Sequence, residues 1–306
     1  MRAAEHLALL RTAGLQPKKS FGQNFLVSDA AIAKIAEACV PDDEIGLSRV
    51  VELGAGAGAL TAALTERAAH VSAVERDRDL VPLLEGALEA TIGLGKLSVI
   101  EADAQSLDLA SLFARPELPG SPAPQAFRRV LAGNLPYQIT GQLLRLAVGH
   151  AEHVDRVVFM VQEEVADRLV ARPSTKAYGA LSVFVQAAFA VRIVLNVPPG
   201  AFVPSPRVSS AVVALVPHRP PLAVETETFR AVVKAAFGAR RKTLRNAWRA
   251  LAESSRLEDA AASAGISLDA RGETLDVLAF ARFARAIEGQ APTVAAAATP
   301  DRSTAG

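Results

Sequence analysis

Short apolar segments alternate with longer amphipathic segments between residues 50 and 171. The apolar segments have the length of buried strands and lie at Val50–Leu53, Val71–Glu75, Leu97–Ile100, Arg129–Ala132 and Arg156–Val161. Around them, apolar residues recur at the period of an amphipathic helix, near 58–67, 78–90, 139–149 and 162–171. Strands and helices that alternate in this way predict βαβ units and therefore a parallel sheet.

The segments before this region predict two helices. Residues 1–20 contain a short helical pattern that leads into the basic sequence Gln16-Pro17-Lys18-Lys19. A second helix is predicted to begin at Ser28 or Asp29, because both residues are favoured N-caps, and to end before Pro41.

After residue 172 the spacing of the apolar segments changes. Val191–Val197 and Ser209–Val216 have the pattern of strands, and the proline-rich loop between them is too short to hold a crossover helix. The two strands therefore predict an antiparallel hairpin at the edge of the sheet. The longest apolar stretch, 180–197, is interrupted by polar residues, so it predicts a buried helix and strand and not a membrane span.

The pattern also predicts the domain organisation. A linker at 217–225 precedes a region that is helical throughout, and the proline-rich stretch 114–128 is predicted to be a loop. The final residues are Ala, Thr, Pro and Ser without periodicity, which is typical of disorder. The expected segments are an N-terminal basic segment (1–20), an α/β domain (21–217), a small all-α domain (226–288) and a disordered tail (289–306).

Composition and charge narrow the class of protein. Half of the 306 residues are hydrophobic and 21% are charged, which is ordinary for a globular chain. The net charge of +1 gives no overall attraction to nucleic acid, so such a partner would need a local basic patch. Cys39 is the only cysteine, which excludes an intrachain disulfide and a cysteine-based metal site. No signal-peptide pattern follows Met1, so we expect a cytoplasmic protein.

A glycine loop follows the first strand of the predicted sheet. Glycines at this position let the backbone approach a ligand closely at the start of a helix. Gly54, Gly56 and Ala59 also satisfy the dinucleotide-binding pattern, and Glu75 lies about 20 residues later, where a ribose-binding acid belongs. These features leave two classes open, a nicotinamide dehydrogenase and an S-adenosylmethionine enzyme.

Polar residues also follow the third and fourth strands. Asp103 could accept a hydrogen bond from an adenine amino group, although a lone aspartate here could equally cap a helix. Asn134 follows the next strand. Because the carboxyl ends of such strands line one crevice, we expect Gly54, Glu75, Asp103 and Asn134 to converge. The histidines lie outside these loops, so the proton-relay group of a dehydrogenase is not evident.

The segment Asn134-Leu135-Pro136-Tyr137 combines an amide, a rigid turn and an aromatic ring. An amide both donates and accepts hydrogen bonds, and proline restricts the residue before it to extended conformations. Together, the amide, the rigid turn and the aromatic ring suit the binding of a planar, amino-bearing ring such as a nucleobase. A turn that merely ends a strand could have the same composition, so the segment alone leaves both interpretations open.

Several motifs occur together in one order along the chain. They are Phe21-Gly22-Gln23-Asn24-Phe25-Leu26, the glycine loop, Asn134-Leu135-Pro136-Tyr137, residues 162–169, residues 176–183, Phe202-Val203-Pro204-Ser205-Pro206 with residues 207–210, and residues 240–246. Together they resemble the rRNA adenine N6-dimethyltransferases, specifically the KsgA (RsmA) branch that acts on small-subunit rRNA. The resemblance covers residues 18 to 285. It implies a Rossmann-like S-adenosylmethionine-dependent methyltransferase sheet with a smaller all-α C-terminal domain.

The resemblance also implies a role for individual residues. Asn24 and Leu26 would contact the methionine end of S-adenosylmethionine. Around the rest of the cofactor, the implied contacts are the loop glycines Gly54 and Gly56, Glu75 on the ribose hydroxyls, Asp103 on the adenine amino group, and Asn134. The implied catalytic residues are Asn134, Leu135 and Tyr137. Asn134 and the Leu135 carbonyl would hold the target amino group. The target base would stack on Tyr137, and Phe202 would close its other face.

Basic residues near the C-terminal domain are candidates for RNA contacts. They are Arg240, Arg241, Lys242, Arg245 and Arg249, with Lys18 and Lys19 contributing from the N-terminal segment. Arg241, Arg245 and Arg249 recur every four residues, which predicts one face of a helix. A solvated helical surface would have the same pattern, but beside an RNA-modifying site phosphate contacts are favoured.

The predicted function is dimethylation of two adjacent adenines in small-subunit (16S) rRNA during ribosome assembly. The chain departs from the family in Ala55, where relatives often have proline, in the long 114–128 loop and in its near-neutral charge. The alternatives are an Erm-like large-subunit methyltransferase that confers macrolide resistance, an RNA-binding assembly factor with methylation secondary, and, more distantly, a dehydrogenase. We expect a monomer with no metal and no membrane association.

Overall fold

The structure, a computed structural model, describes residues 2–113, 127–239 and 241–289. It divides into two compact units, Met1–Leu222 and Ala223–Gly306. Residues 1–20 fall within the first unit and do not form a separate structural unit. The bounds given above for the domains stay a prediction, and the tail from residue 290, like most of the 114–128 loop, lies outside the described residues.

The first unit is built on a seven-stranded sheet with helices on both faces. Its helices are α1 (Ala3–Thr12), α2 (Asp29–Cys39), α3 (Ala59–Arg67), α4 (Val81–Ala87), α5 (Glu89–Gly93), α6 (Leu109–Phe113), α7 (Thr140–Gly149), α8 (Glu163–Val170) and α9 (Ala180–Ala188). Its strands are β1 (Phe25–Leu26), β2 (Ser48–Leu53), β3 (His70–Glu75), β4 (Leu97–Glu101), β5 (Arg128–Asn134), β6 (Arg156–Gln162), β7 (Phe189–Val197), β8 (Phe202–Val203) and β9 (Ser210–Pro217).

The order of the strands in the large sheet is β4-β3-β2-β5-β6-β9-β7. The first five strands are parallel, and β9 pairs antiparallel with both β6 and β7. The predicted parallel sheet and its antiparallel edge hairpin are therefore confirmed. The central strands are mainly apolar in their middle parts, and apolar clusters cover both faces of the sheet, with Ile35 and Leu64 on one side and Phe159 and Leu143 on the other.

The helix boundaries follow local signals where those signals are strong. Ser28, one of the two predicted caps, accepts a hydrogen bond from the Ala31 amide at 3.3 Å. The predicted helix 78–90 is instead two short helices that meet at Leu88, and the first begins only at Val81. Pro82 lies in its first turn, where a missing amide hydrogen costs nothing.

A second, two-stranded ladder was not predicted from the sequence. β1 and β8 pair antiparallel, with Phe25 opposite Val203 and Leu26 opposite Phe202. This ladder ties the segment after α1 to the loop that precedes β9, although the two lie far apart along the chain.

The second unit packs its helices around one tryptophan. Its helices are α10 (Glu227–Gly238), α11 (Leu244–Trp248), α12 (Ser254–Ala264) and α13 (Val277–Glu288), so the predicted helical character is confirmed. Trp248 is buried and stacks on Phe283 with ring centroids 3.8 Å apart. Its indole nitrogen donates to the Val232 carbonyl at 3.0 Å. These contacts fix α11 in the core of the unit.

The predicted helical stripe through Arg241, Arg245 and Arg249 is wrong. α11 begins at Leu244, so Arg241 lies in the turn before the helix. The backbone amides of Leu244 and Arg245 donate to carbonyl oxygens in the loop that follows α12, each at 2.8 Å. A helix that started earlier would need these amides for its own hydrogen bonds.

Candidate active site

The carboxyl ends of the central strands open on one cavity of about 160 Å³. The predicted site residues on its lining are Asn24, Leu26, Gly54, Gly56, Glu75, Asp103, Asn134, Leu135 and Tyr137. Parallel strands bring their carboxyl ends to the same edge of the sheet, which is why Gly54 and Asn134 meet here although they lie 80 positions apart. The structure thus brings the four strand-end positions together as the sequence predicted.

The glycine loop is shaped by backbone conformations that favour glycine. Gly54 and Gly56 have φ angles of 77° and 58°, in the left-handed region. A Cβ on Gly56 would also lie 3.3 Å from the ring of Phe25, which β1 holds against the loop. A larger residue at position 56 would therefore meet both an unfavourable φ angle and a tight contact with Phe25.

Glu75 connects the glycine loop to the end of β3. One carboxylate oxygen accepts from the Gly56 amide at 2.7 Å, and the other accepts from the Asp77 amide at 2.8 Å. Burial raises the pKa of Glu75, and these backbone hydrogen bonds oppose that rise. Each oxygen has a second lone pair, so the carboxylate can still accept hydrogen bonds from a ligand.

Asp103 lies on the cavity lining and also caps a short 3-10 turn. Its Oδ1 accepts from the Gln105 amide at 3.0 Å, so the capping role weighed for a lone aspartate is present as well. Its Oδ2 lies 3.4 Å from the guanidinium of Arg76. Arg76 lines the cavity and sits 5.4 Å from the ring centre of Phe21. Arg76 was not predicted as a site residue, although its position directly after Glu75 could have indicated it.

The side-chain amide of Asn134 is oriented by a backbone carbonyl. Its Nδ2 donates to the carbonyl oxygen of Asn24 at 3.1 Å, which leaves Oδ1 as an acceptor. The amide of Leu135 donates to the Met160 carbonyl at 3.1 Å. Among the described residues no donor is bonded to the Leu135 carbonyl oxygen. Two neighbouring residues at the end of β5 thus each keep an acceptor that has no donor among the described residues.

Tyr137 is held by a serine from the antiparallel edge of the sheet. Its hydroxyl lies 2.8 Å from the Ser210 hydroxyl, and Ser210 is fully buried at the start of β9. The hydrogen bond fixes the phenol ring at the cavity. Ser210 belongs to the motif at 207–210, but no pattern in the sequence predicts its partner.

Phe202 does not lie on the cavity lining in this structure. Its side chain is 3% exposed and belongs to the apolar cluster on the α2 and α3 face of the sheet. The β1–β8 ladder places it opposite Leu26, which turns it toward the core. The expectation that Phe202 closes one face of a target base is therefore not met by this arrangement of its side chain.

The N-terminal segment is tied to the loop after β3. The Lys18 ammonium bonds to Asp77 and, at 2.6 Å, to Asp79, while the Gln23 amide donates to Asp77 at 2.8 Å. Burial alone would raise the pKa of Asp77, but these partners outweigh it and lower the pKa. Because the Lys18 ammonium already has two carboxylate partners, the structure disfavours the predicted RNA contact of Lys18.

Two buried titratable residues line the cavity without having been predicted. Glu52 accepts a hydrogen bond from Thr61 at 2.6 Å, and burial raises its pKa to about 7. His6 of α1 lies against the glycine loop, with Nδ1 2.8 Å from the Ala57 carbonyl oxygen. No histidine was predicted as a site residue, because none lies in a strand-end loop. No signal within the sequence places α1 on this cavity.

The basic residues of the second unit differ in how they are paired. Arg245 forms an ion pair with Glu258 at 2.7 Å and lies 3.9 Å from Asp269. Arg241, Lys242 and Arg249 are exposed. The remaining two candidates, Arg240 and the side chain of Lys19, lie outside the described residues.

The family model for ribosomal RNA adenine dimethylase matches residues 14–288. The chain belongs to the ribosomal RNA adenine dimethylase family. It is therefore an S-adenosylmethionine-dependent rRNA adenine dimethyltransferase, and the dehydrogenase interpretation of the glycine loop is wrong. The methyl donor of the family fits the lining, which provides a left-handed glycine cradle and carboxylates at the ends of two neighbouring strands.

The chain is similar to curated and solved proteins over most of its length. A ribosomal RNA small subunit methyltransferase A of Anaeromyxobacter dehalogenans is 45% identical, over 92% of this chain and 96% of that protein. A protein of the same name from Rhodospirillum rubrum is 42% identical, over 92% and 91%.

Two solved structures support the Rossmann-like methyltransferase fold. A Plasmodium falciparum dimethyladenosine transferase superposes with a TM-score of 0.66 at 23% identity, covering 84% of this chain and 95% of the other. The 23S rRNA methyltransferase ErmE superposes with a TM-score of 0.61 at 25% identity, covering 87% and 100%. In the part of the chain that the structure describes, no helix is long and apolar enough to cross a membrane and no group of side chains could hold a metal.

Proposed function

We propose that this chain transfers methyl groups to the N6 amino groups of two adjacent adenines in small-subunit (16S) rRNA during ribosome assembly. The curated relatives at 45% and 42% identity, both called small-subunit methyltransferases, support the choice of subunit. The observation that carries the chemistry is the oriented Asn134 amide. Its oxygen and the carbonyl oxygen of the next residue, Leu135, are both acceptors without a donor among the described residues.

Different residues of the cavity are assigned to different parts of the cofactor. S-adenosylmethionine, when bound, supplies a methyl group on a positively charged sulfur. We assign its methionine end to Asn24 and Leu26 beside the glycines of the loop. Glu75 is assigned to the ribose hydroxyls, since its carboxylate keeps acceptor capacity beyond its two backbone bonds. Asp103 is assigned to the adenine amino group, which requires Arg76 to release or share that carboxylate.

Asn134 and Leu135 act on the target amino group. The nitrogen of an adenine amino group is a poor nucleophile because its lone pair is delocalised into the ring. Two acceptors, Asn134 Oδ1 and the Leu135 carbonyl, can hold its hydrogens out of the ring plane and localise that lone pair. The protein then contributes mainly position, and well-oriented groups gain roughly 7–11 kcal/mol over free encounter. No strong base is needed, because the nitrogen becomes acidic only after the methyl group has been transferred.

Tyr137 holds the target base once it has left its stack. Unstacking costs a few kcal/mol, and stacking on an aromatic ring returns about 1–3 kcal/mol per base. The hydrogen bond to Ser210 keeps the ring from rotating away. For Phe202 to cover the second face, its ring would have to leave the apolar cluster, so we assign this role to the RNA-bound state only.

The subunit choice is tested with purified protein, labelled S-adenosylmethionine and ribosomal subunits that lack the modification. We expect label in the small-subunit RNA and dimethyladenosine after digestion of that RNA. Label found only in large-subunit RNA would support the Erm-like alternative, which the similarity to ErmE keeps relevant.

The role of Asn134 is tested by Asn134→Ala. The variant should lose methyl transfer and keep part of its cofactor affinity, because most cofactor contacts lie on other residues. Unchanged turnover would contradict the proposed role. A variant that is inactive yet still binds immature subunits and alters growth would favour the alternative of an assembly factor. We further propose that the protein works as a monomer in the cytoplasm, which gel filtration and cell fractionation can check.

A further inference from the structure

Helix α1 forms one wall of the cofactor cavity through a buried histidine. His6 is 1% exposed and lines the cavity, with its Nδ1 2.8 Å from the carbonyl oxygen of Ala57 in the glycine loop. The amide of Ala3, at the start of the same helix, donates to the Asp29 side chain at 2.8 Å. The helix is therefore fixed at two points, against the glycine loop through His6 and against the start of α2 through Ala3.

The contact with Ala57 determines which nitrogen of His6 carries the hydrogen. A carbonyl oxygen can only accept, so Nδ1 must donate, and Nε2 of the neutral ring is then an acceptor. Burial lowers the pKa of His6, which favours this neutral form. Nε2 is buried and has no hydrogen-bond partner among the described residues.

A buried acceptor without a partner indicates that a water or a ligand completes the site. The cofactor has three kinds of donor. The roles proposed above give its ribose hydroxyls to Glu75 and its adenine amino group to Asp103. The methionine portion is assigned to Asn24, whose Nδ2 donates to the Gly22 carbonyl and whose side-chain oxygen is therefore an acceptor. The ammonium group of that portion has three hydrogens, so it can donate to a further acceptor as well.

We propose that His6 is a positioning residue of the cofactor site. Nδ1 holds the glycine loop at Ala57, and Nε2 accepts a hydrogen bond from the ammonium group of the bound cofactor. The inference rests on the family's cofactor and on the roles proposed for Glu75 and Asp103. It does not depend on which ribosomal subunit is the substrate.

Ligand binding by calorimetry tests the two contacts separately. The ligands are S-adenosylhomocysteine, its analogue without the amino group, and methylthioadenosine, which lacks the whole amino-acid portion. In His6→Asn, the amide nitrogen can replace Nδ1 as the donor to Ala57, but nothing replaces Nε2. We expect S-adenosylhomocysteine to bind about tenfold more weakly to this variant, as for loss of one hydrogen bond to a charged group. The two ligands without an amino group should bind as they do to the parent.

Two further variants, His6→Ala and His153→Asn, are measured with the same three ligands. His6→Ala removes both contacts, so all three ligands should bind more weakly and the amides of the glycine loop should exchange faster without ligand. His153→Asn makes the matched change at a histidine outside the cavity lining and should change nothing. An equal loss for all three ligands in His6→Asn would show that His6 only supports the loop and would overturn the proposal. Unchanged binding of S-adenosylhomocysteine to His6→Asn would overturn it as well.

Discussion

Glu52 is a fully buried carboxyl group of the first unit, and Glu52→Gln isolates the cost of burying its charge. The side chain is 1% exposed at the end of β2, and its single hydrogen bond comes from the Thr61 hydroxyl at 2.6 Å. Burial raises its pKa from 4.5 to about 7, and the neighbouring charge of Glu75 adds to the rise, against the effect of the Thr61 hydrogen bond. Glutamine has the same shape, and its oxygen can still accept from Thr61.

The raised pKa of Glu52 determines how stability depends on pH. Below pH 4.5 the carboxyl is protonated in the folded and the unfolded chain, and no charge is buried. As the pH rises, the unfolded chain ionises first, so the free energy of unfolding falls until the folded carboxyl also ionises near pH 7. A shift of this size corresponds to roughly 3 kcal/mol. The glutamine variant lacks this loss, so its stability relative to the parent should grow by about 2–3 kcal/mol between pH 5 and pH 8.

Urea unfolding at pH 5, 6, 7 and 8, followed by far-UV circular dichroism, measures this difference. Tryptophan fluorescence is unsuitable, because the only tryptophan, Trp248, lies in the second unit. Any cost of burying the glutamine NH₂ group is the same at every pH and cancels from the trend. Glu66→Gln, an exposed position on α3, is the matched control and should show no trend. If the free energies of unfolding of Glu52→Gln and the parent differed by the same amount at every pH, the inference that Glu52 carries a buried charge near neutral pH would be refuted.

Three further changes probe the site and the RNA surface. In Gly133→Ala, the new Cβ would lie 2.6 Å from a backbone carbonyl of β2, so we expect a loss of about 1–3 kcal/mol in urea unfolding and slower methyl transfer. Tyr137→Phe leaves the buried Ser210 hydroxyl without its partner and should cost about 1–3 kcal/mol, but markedly less in a Ser210→Ala background. Arg249→Ala should reduce the salt slope of RNA binding by roughly 0.7–0.9 if Arg249 contacts a phosphate, whereas the ion-paired Arg245 should contribute less in a filter-binding assay.

The sequence predicts the sheet and the four strand-end positions because both depend on short-range patterns. The period of apolar residues identifies the strands, and the rule that parallel strands share one carboxyl edge brings Gly54, Glu75, Asp103 and Asn134 together. All four line the cavity. No knowledge of side-chain contacts is needed for this part of the site.

The contacts that orient the site are long-range and have no pattern in the sequence. The Asn134 amide reaches a carbonyl 110 residues away, and the Tyr137 hydroxyl reaches a serine 73 residues away. His6 meets the glycine loop only because α1 folds back over it. The inward position of Phe202 likewise follows from the β1–β8 ladder, which pairs two residues of each strand and is too short to be recognised from sequence.

The contact between Asn134 and Asn24 explains why a neutral amide stands at this position. Nδ2 faces a carbonyl oxygen, so only a side chain with a donor on that side is satisfied there. An aspartate would set a negative oxygen against the Asn24 carbonyl and would lose the hydrogen bond that fixes the orientation. Catalysis by positioning needs an acceptor in a fixed orientation more than it needs a base. The hydrogen bond to Asn24, which excludes aspartate, also fixes the orientation of the Asn134 acceptor. The residue before β1, Asn24, therefore acts on both partners of the reaction, since it borders the proposed cofactor site and orients the side chain proposed to hold the target amino group.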